Sequence, residues 1–215
     1  VILLNICYNV REEYGIVLED LDLGGGLGIA YTEADDPQAV DDLVRRAVAK
    51  LVKYAEKIDY PLPRLLLEPG RSLVARAGAT LYTVGSRKDV PDGPSFVAVD
   101  GGMGDNVRPA LYQAAYSAVV ANRLREPATE TVRLVGKYCE SGDVLLREFH
   151  APRMHAGDTV MVFGTGAYNY AMASNYNRFA KPAMALVENG RSGLLIRRES
   201  LDDLLAQDML PDWLE

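Results

Sequence analysis

The order of elements between Leu21 and Leu67 constrains the possible folds more than any other feature of this sequence. The segment LEDLDL is a short apolar strand that runs into the glycines of GGGLG, and a long helical pattern and a second apolar strand follow. Strand, helix and strand in this order form a βαβ unit, in which two parallel strands are joined by a right-handed crossover. The first part of the chain is therefore expected to be an α/β layer.

The helix between these strands has a continuous apolar stripe. Its apolar residues recur at three- and four-residue spacing, so the helix should pack one face on the sheet. Asp36 suits the N-cap and Pro37 the first helical position, which predicts that the helix begins there. A preceding helix is predicted to end near Gly15. The stripe consists of Val40, Leu43, Val44, Ala47, Val48, Leu51 and Ala55.

The second strand ends abruptly in charged residues, in the sequence LLLEPGRSLVA from Leu65 to Ala75. An apolar run that stops at a charge is typical of a buried parallel strand that ends at a ligand. Gly70 allows the backbone to approach closely, and Pro69 restricts the turn. Glu68 and Arg71 supply opposite charges. A strand-end turn closed by a surface salt bridge fits the same residues, and this stretch alone does not decide between the two.

The pattern changes after residue 77 to short runs rich in Val, Leu, Tyr and Phe, separated by turn residues. This predicts a second, mainly antiparallel β domain, so the expected domains are residues 1–77 and 78–215. Ser200 and Asp203 form a capping-box pattern that predicts a last short helix through Met209. The predicted strands are Gly78 to Arg87, Ser95 to Asp100, Val132 to Lys137, Asp158 to Gly164, Ala183 to Val187 and Gly193 to Arg198.

Charge and cysteine content argue against several classes of function. The net charge of −7 disfavours a nucleic-acid surface, which needs clustered Lys and Arg. The two cysteines lie far apart without a CxxC motif, so no metal site or disulfide framework is predicted and a cytoplasmic location is expected. The opening apolar stretch is too short to cross a bilayer, so no membrane partner is expected. The loop GGGLG fits neither the dinucleotide fingerprint nor the nucleotide P-loop.

Five segments carry residues suited to chemistry, and each alone also has a structural explanation. The glycines of GGGLG and GTGAY are equally typical of tight turns. Arg108 and Tyr112 have the spacing of a helix-surface pair, and a lone cysteine such as Cys139 is often a small buried hydrophobe. The five segments are Gly24 to Gly28, Glu68 to Arg71, Asp100 to Tyr112, Lys137 to Asp143 and Gly164 to Tyr168.

In this order, LDLGGGLGIAY, LEPGRSLVA, VDGGMGDNVRPALY and VGKYCESGD resemble the C-terminal part of the alanine-racemase-like, fold type III pyridoxal-phosphate decarboxylases. The resemblance runs from about Leu21 to about Met209. It implies an α/β plus β fold: the last part of a (β/α)8 barrel that binds pyridoxal 5′-phosphate at the C-terminal ends of its strands, then a mainly antiparallel β domain. The chain would begin about two strands before the barrel closes, as a fragment of a longer enzyme.

The resemblance also implies how the cofactor is bound. In that family, backbone amides of two loops and a tyrosine hydroxyl hold the phosphate. Glu68 would keep the pyridine nitrogen protonated, which makes the ring an electron sink. The residues implied to bind the cofactor are Gly25, Gly26, Glu68, Pro69, Gly70, Arg71 and Tyr168.

The implied reaction is decarboxylation of a diamino dicarboxylic acid, meso-2,6-diaminopimelate, to L-lysine and CO2. Arginines would grip a substrate carboxylate, Glu140 would pair with the distal ammonium, and Cys139 would return a proton to the α-carbon. In family members the CESGD loop completes the site of the neighbouring subunit, so a homodimer with shared active sites is expected. The implied substrate-binding residues are Arg71, Arg108, Tyr112, Glu140 and Tyr168.

The family's Schiff-base lysine has no counterpart in this sequence and is expected upstream of it. Three functions therefore stay open. The first is decarboxylation of the diamino diacid, and the second is decarboxylation of another basic amino acid such as ornithine or arginine. CESGD and the pair Arg108 and Tyr112 favour a substrate with a second carboxylate, as in the first. The third is a noncatalytic module with a vestigial site.

Overall fold

Two structural units make up the chain in the computed structural model, which describes residues 1–214. One unit runs from Val1 to Arg76, and the other begins at Ala77. No helix in the described part of the chain is both long and apolar enough to cross a membrane.

The first unit contains the predicted βαβ arrangement. Its two short strands are parallel neighbours, with Leu21 opposite Leu65, and the long helix lies between them in sequence. The first helix ends where Gly15 takes a left-handed conformation with φ 70°, which a residue without Cβ adopts at little cost. The elements are α1 (Ile2–Tyr14), β1 (Asp20–Asp22), α2 (Val40–Lys57), β2 (Arg64–Leu66) and α3 (Arg71–Val74).

Helix α2 begins later than its sequence predicts, so the assignment of Asp36 as N-cap and Pro37 as first helical residue is wrong. Ala39 precedes the helix with extended φ and ψ of −59° and 134°, and no side chain caps it. The φ that proline imposes suits an extended connection as well as a first helical turn. Acidic residues at Asp41 and Asp42 lie in the actual first turn, where they complement the helix dipole.

The apolar core of the first unit is small. Ala55 is the buried residue of α2 and Leu51 packs against the same core, whereas Val40 and Val48 are exposed. In the second strand, Leu66 is 37% exposed within the described residues. The buried residues of this core are Leu4, Cys7, Leu21, Ala55 and Tyr60.

The second unit is built on a mixed six-stranded sheet. Its strand order is β5-β8-β3-β4-β6-β7, in which β4 and β6 pair in parallel and the other neighbours pair antiparallel. Strands β9 and β10 form a separate antiparallel hairpin. The strands are β3 (Ala79–Lys88), β4 (Ser95–Val99), β5 (Ala118–Val120), β6 (Glu130–Val135), β7 (Val144–Ala151), β8 (Thr159–Phe163), β9 (Met184–Glu188) and β10 (Arg191–Ile196).

Six of these strands coincide with predicted runs, whereas β5 and β7 were not predicted. Helix α4 (Arg108–Tyr112) precedes β5, and helix α5 (Leu201–Leu205) follows the hairpin. The capping box of Ser200 and Asp203 is confirmed, since each residue's side chain accepts a hydrogen bond from the other's backbone N–H. Helix α5 nevertheless ends at Leu205 and does not reach Met209 as predicted.

The core of the sheet gives a stability prediction. Leu134 in β6 is fully buried, whereas Leu124, in the connection that follows β5, is 68% exposed. Leu134→Ala should lower the free energy of unfolding by about 2–5 kcal/mol, because it removes apolar contacts and leaves a cavity. Leu124→Ala should change it by less than about 0.5 kcal/mol. Denaturant unfolding of both variants checks this, and equal losses would show that burial at Leu134 does not control stability.

Candidate active site

The glycine loop and the EPGR turn are joined backbone to backbone in the first unit. Leu23 donates its N–H to the carbonyl of Leu66 at 3.0 Å, and Glu68 donates its N–H to the carbonyl of Gly24 at 2.8 Å. A Cβ placed on Gly25 would lie 2.3 Å from the Glu68 carbonyl oxygen. Only glycine therefore allows the two loops to approach this closely.

The same two loops present backbone amides suited to an anion. Within residues 1–214, the N–H groups of Gly25, Gly26 and Gly70 donate no hydrogen bond. Gly24 and Gly26 have φ of 69° and 80°, a left-handed conformation that turns successive amides toward one side. Amides arranged in this way fit a phosphate group.

The charged residues of the EPGR turn do not form the surface salt bridge that the sequence left open. The Glu68 side chain is exposed, and no ion pair joins it to Arg71 within the described residues. The Arg71 guanidinium is half-buried and lies 5.9 Å from the centroid of the Tyr31 ring. The structure thus leaves the Glu68 carboxylate accessible in the loop that carries the Gly70 amide.

In the second unit, helix α4 places a buried arginine among tyrosines. Arg108 is 8% exposed, and its Nε donates to the Tyr116 hydroxyl at 2.9 Å. Its guanidinium carbon lies 5.6 Å from the ring centroid of Tyr112 and 5.8 Å from that of Tyr168. Both of these tyrosines are largely exposed, so the cluster opens to solvent. The structure therefore brings together three of the residues implied to bind substrate.

The CESGD loop is a tight exposed turn with a free thiol. Cys139 is exposed, which excludes the alternative of a buried hydrophobe. The Glu140 carboxylate accepts hydrogen bonds from the Gly142 amide at 3.2 Å, the Tyr176 hydroxyl at 3.2 Å and the Ser141 hydroxyl at 3.3 Å. These bonds, that of the Gly142 amide first, lower the pKa of Glu140. The carboxylate is thereby kept ionised and available to a cation.

The root of this loop is held by Asp143, which lies in the candidate segment Lys137 to Asp143 but whose role the sequence did not predict. Its carboxylate accepts the N–H of Met103 at 2.7 Å and that of Tyr138 at 2.9 Å. A Cβ on Gly136 would lie 2.1 Å from this carboxylate, and one on Gly102 would lie 2.5 Å from it. Burial raises the pKa of Asp143, although the two backbone hydrogen bonds oppose the shift. Asp143 thus connects the DGGMGD segment to the CESGD loop.

A second buried carboxylate, also missed from the sequence, holds the DGGMGD turn itself. Asp105 accepts hydrogen bonds from the Tyr82 hydroxyl at 2.5 Å and from the Gly102 amide at 2.8 Å. Burial raises the pKa of Asp105 and that of Tyr82. Gly104 in the same turn faces the Tyr138 hydroxyl, since a Cβ there would lie 2.1 Å from it. The dense glycines of DGGMGD were the sequence signal for this packing.

The packing around Asp143 gives a prediction about the loop. Gly136→Ala should lower the free energy of unfolding by roughly 1–3 kcal/mol and displace the CESGD loop, because the added methyl group overlaps the Asp143 carboxylate. Gly85→Ala is the matched control, since a Cβ there meets only the Ala98 carbonyl at 3.8 Å. Denaturant unfolding and limited proteolysis at the loop measure both effects. Equal behaviour of the two variants would contradict the role given to Asp143.

Comparison with known proteins agrees with this geometry. Residues 8–166 match a family model described as "Pyridoxal-dependent decarboxylase, C-terminal sheet domain". Diaminopimelate decarboxylase of Synechocystis sp. is 48% identical over 199 residues, which cover 93% of this chain and 42% of the relative. Diaminopimelate decarboxylase of Bacillus subtilis is also 48% identical, with 93% of this chain and 45% of the relative covered. The chain therefore spans less than half the length of these relatives.

The fold comparison leads to the same group. A crystal structure of diaminopimelate decarboxylase from M. jannaschii in co-complex with L-lysine has a TM-score of 0.89 and 36% sequence identity, covering 99% of this chain and 48% of that chain. The expected fold class, the end of a barrel followed by a mainly antiparallel β domain, is confirmed. The chain belongs to the pyridoxal-dependent decarboxylase family.

Proposed function

We propose that this chain supplies cofactor- and substrate-binding residues of a diaminopimelate decarboxylase, a carboxy-lyase that converts meso-2,6-diaminopimelate to L-lysine and CO2 in lysine biosynthesis. Residues 1–77 would be the last part of the (β/α)8 barrel, and residues 78–215 the C-terminal β domain. The observation that carries the proposal is the buried Arg108 between two exposed tyrosines, in a chain 48% identical to enzymes of that name.

The first unit fits pyridoxal 5′-phosphate. The amides of Gly25, Gly26 and Gly70 would hold the phosphate together with the Arg71 amide and the Tyr168 hydroxyl, and Pro69 shapes the turn. Their fit is supported by three amides without acceptors inside the described chain. When bound, the cofactor supplies an electron sink for the pair of electrons left on the α-carbon as CO2 departs. Glu68 would hold a proton at the ring nitrogen, which keeps that sink effective.

Arginine side chains would bind and orient the substrate. A planar guanidinium forms two parallel hydrogen bonds to a carboxylate, which fixes the position of the carboxylate as well as binding it. Arg108 is held in place by the Tyr116 hydroxyl and flanked by Tyr112 and Tyr168. We assign Arg108, Arg71 and these two flanking tyrosines to the substrate carboxylates.

The CESGD loop would supply the proton donor and the group that binds the distal ammonium of the substrate. Cys139 would give its thiol proton to the α-carbon after CO2 has left, and the resulting thiolate would recover a proton from solvent. Glu140, an ionised carboxylate, would pair with the distal ammonium of the substrate. The exposed thiol of Cys139 supports this role, and the need to keep that thiol reduced supports a cytoplasmic location.

We further propose a homodimer in which the CESGD loop of one subunit completes the active site of the other. The exposure of Cys139 and Glu140 supports this, because residues 1–214 leave both side chains accessible to a partner. A monomer would then lack the proton donor at its own cofactor. Dilution of the enzyme below its dimer dissociation constant should abolish turnover.

The proposed reaction gives a direct prediction for Cys139. The complete polypeptide that carries this sequence, supplied with pyridoxal phosphate, should release CO2 from meso-diaminopimelate and not from lysine or ornithine. Cys139→Ala should lower kcat about 10²–10⁴-fold, because it removes the proton donor. Cys7→Ala is the control, since Cys7 lies buried in the other unit. Binding of the cofactor without CO2 release from any of the three would favour the noncatalytic alternative.

The role of Arg108 gives a separate prediction. Arg108→Lys keeps the charge but loses the two-pronged geometry, so KM for meso-diaminopimelate should rise about tenfold or more. Arg125→Lys serves as control, because Arg125 is exposed and has no role in the proposed site. Steady-state kinetics of the two variants measure the difference, and an unchanged KM in Arg108→Lys would remove Arg108 from the substrate-binding set.

A further inference from the structure

The CESGD loop contacts a short 3-10 turn, Tyr176–Arg178, that lies almost forty residues later in the sequence. Asn177 accepts the backbone N–H of Cys139 with its side-chain oxygen at 3.1 Å. The neighbouring Tyr176 donates its hydroxyl to Oε2 of Glu140 at 3.2 Å. Two adjacent residues of one turn therefore hold two adjacent residues of the loop.

The hydrogen bonds to Glu140 differ between its two oxygens. Oε1 accepts from both the Ser141 hydroxyl and the Gly142 amide, whereas Oε2 accepts from Tyr176. An ionised carboxylate has about four acceptor positions, two on each oxygen. Oε2 therefore accepts fewer of these hydrogen bonds than Oε1. The ammonium of a ligand would find its acceptor at Oε2, next to the Tyr176 hydroxyl.

The backbone of the turn suits an asparagine at position 177. Asn177 has φ of 52°, in the left-handed region that asparagine enters more readily than most residues with a Cβ. The same residue also supplies the acceptor for the Cys139 amide. Tyr176 is placed by its ring, whose centroid lies 6.0 Å from that of the buried Tyr138. The Asn177 side-chain oxygen and the Tyr176 hydroxyl are thus both positioned by contacts within the second unit.

We propose that Tyr176 and Asn177 are positioning residues: Asn177 holds the backbone that carries the Cys139 thiol, and Tyr176 orients Glu140 so that Oε2 receives the distal ammonium of the substrate. This rests on the proposed function, because it assigns the roles of proton donor and ammonium acceptor to Cys139 and Glu140. Tyr176 would then determine preference for substrates with a distal amine.

The test of Tyr176 compares two substrates, meso-diaminopimelate and 2-aminopimelate, which lacks the distal amine. In the complete polypeptide with its cofactor, Tyr176→Phe keeps the ring and removes the hydroxyl. KM for meso-diaminopimelate should rise about five- to tenfold with kcat within about twofold, and KM for 2-aminopimelate should stay within about twofold. Tyr170→Phe is the control, because the Tyr170 hydroxyl makes no hydrogen bond within the described chain.

The test of Asn177 separates the backbone conformation from the hydrogen bond. Asn177→Gly keeps the left-handed backbone but lacks the acceptor, whereas Asn177→Asp retains an acceptor oxygen. Hydrogen exchange of the Cys139 amide should accelerate at least about tenfold in Asn177→Gly, with kcat falling about as much. Asn177→Asp should restore both to within about threefold of the parent.

The positioning roles of Tyr176 and Asn177 and the proposed decarboxylation can fail independently. Equal changes of KM for both substrates in Tyr176→Phe, or unchanged Cys139 amide exchange in Asn177→Gly, would overturn the positioning roles while CO2 release still supports the reaction. A parent polypeptide that releases no CO2 from meso-diaminopimelate would overturn the reaction and the substrate role of Tyr176 with it. A 13C NMR titration of Glu140, whose pKa should rise in Tyr176→Phe, would then still decide whether the hydroxyl orients that carboxylate.

Discussion

The buried carboxylate of Asp143 is the contact on which the proposed proton donor and ammonium acceptor depend. It accepts two backbone N–H groups from separate segments, those of Met103 and Tyr138. A charge in this position is unfavourable unless hydrogen bonds replace its lost hydration, and the two amides do so in part. The raised pKa of Asp143 shows that the replacement is incomplete. Since its folded pKa lies above its unfolded value, this group lowers stability as the pH rises through that interval.

The first unit depends in a similar way on the close approach of two backbone segments, the glycine loop and the EPGR turn. A Cβ on Gly25 would overlap the Glu68 carbonyl oxygen. In the second unit, a Cβ on Gly136 would overlap the Asp143 carboxylate. At both positions a methyl group would displace a loop that carries a proposed functional residue. The absence of side chains is therefore as specific a requirement of the site as the charged groups are.

Elements that are specified by residues close together in the sequence could be predicted. The βαβ unit, six of the strands and the capping box at Ser200 follow from periodicity and from residues within a few positions of one another. The start of α2 was misplaced because proline fits both an extended and a helical path. Strand β7 was missed because charged residues interrupt its apolar pattern. Fold class was predictable, whereas several boundaries were not.

The side chains that hold the candidate site residues in place could not be predicted from the sequence. Several of them act across a long interval of sequence, such as Asp143 on Met103 or Asn177 on Cys139. Motif residues such as Cys139, Glu140 and Arg108 were recognisable because their chemistry and spacing resemble those of a family. Nothing local in the sequence distinguishes Tyr176 from the other tyrosines of the chain. Only the folded contacts reveal which polar side chains hold the proposed reactive ones.

The parallel pairing of β4 with β6 affects how the residues between these strands can change during evolution. Parallel neighbours need a long crossover connection, and here residues 100–129 form it. The DGGMGD turn and Arg108 both lie in that connection, so they are carried outside the hydrogen-bonded ladder of the sheet. On the proposed function, replacements there would alter which acid is recognised while the register of the strands is kept. Substrate preference would then be free to evolve at a different pace from the sheet that supports it.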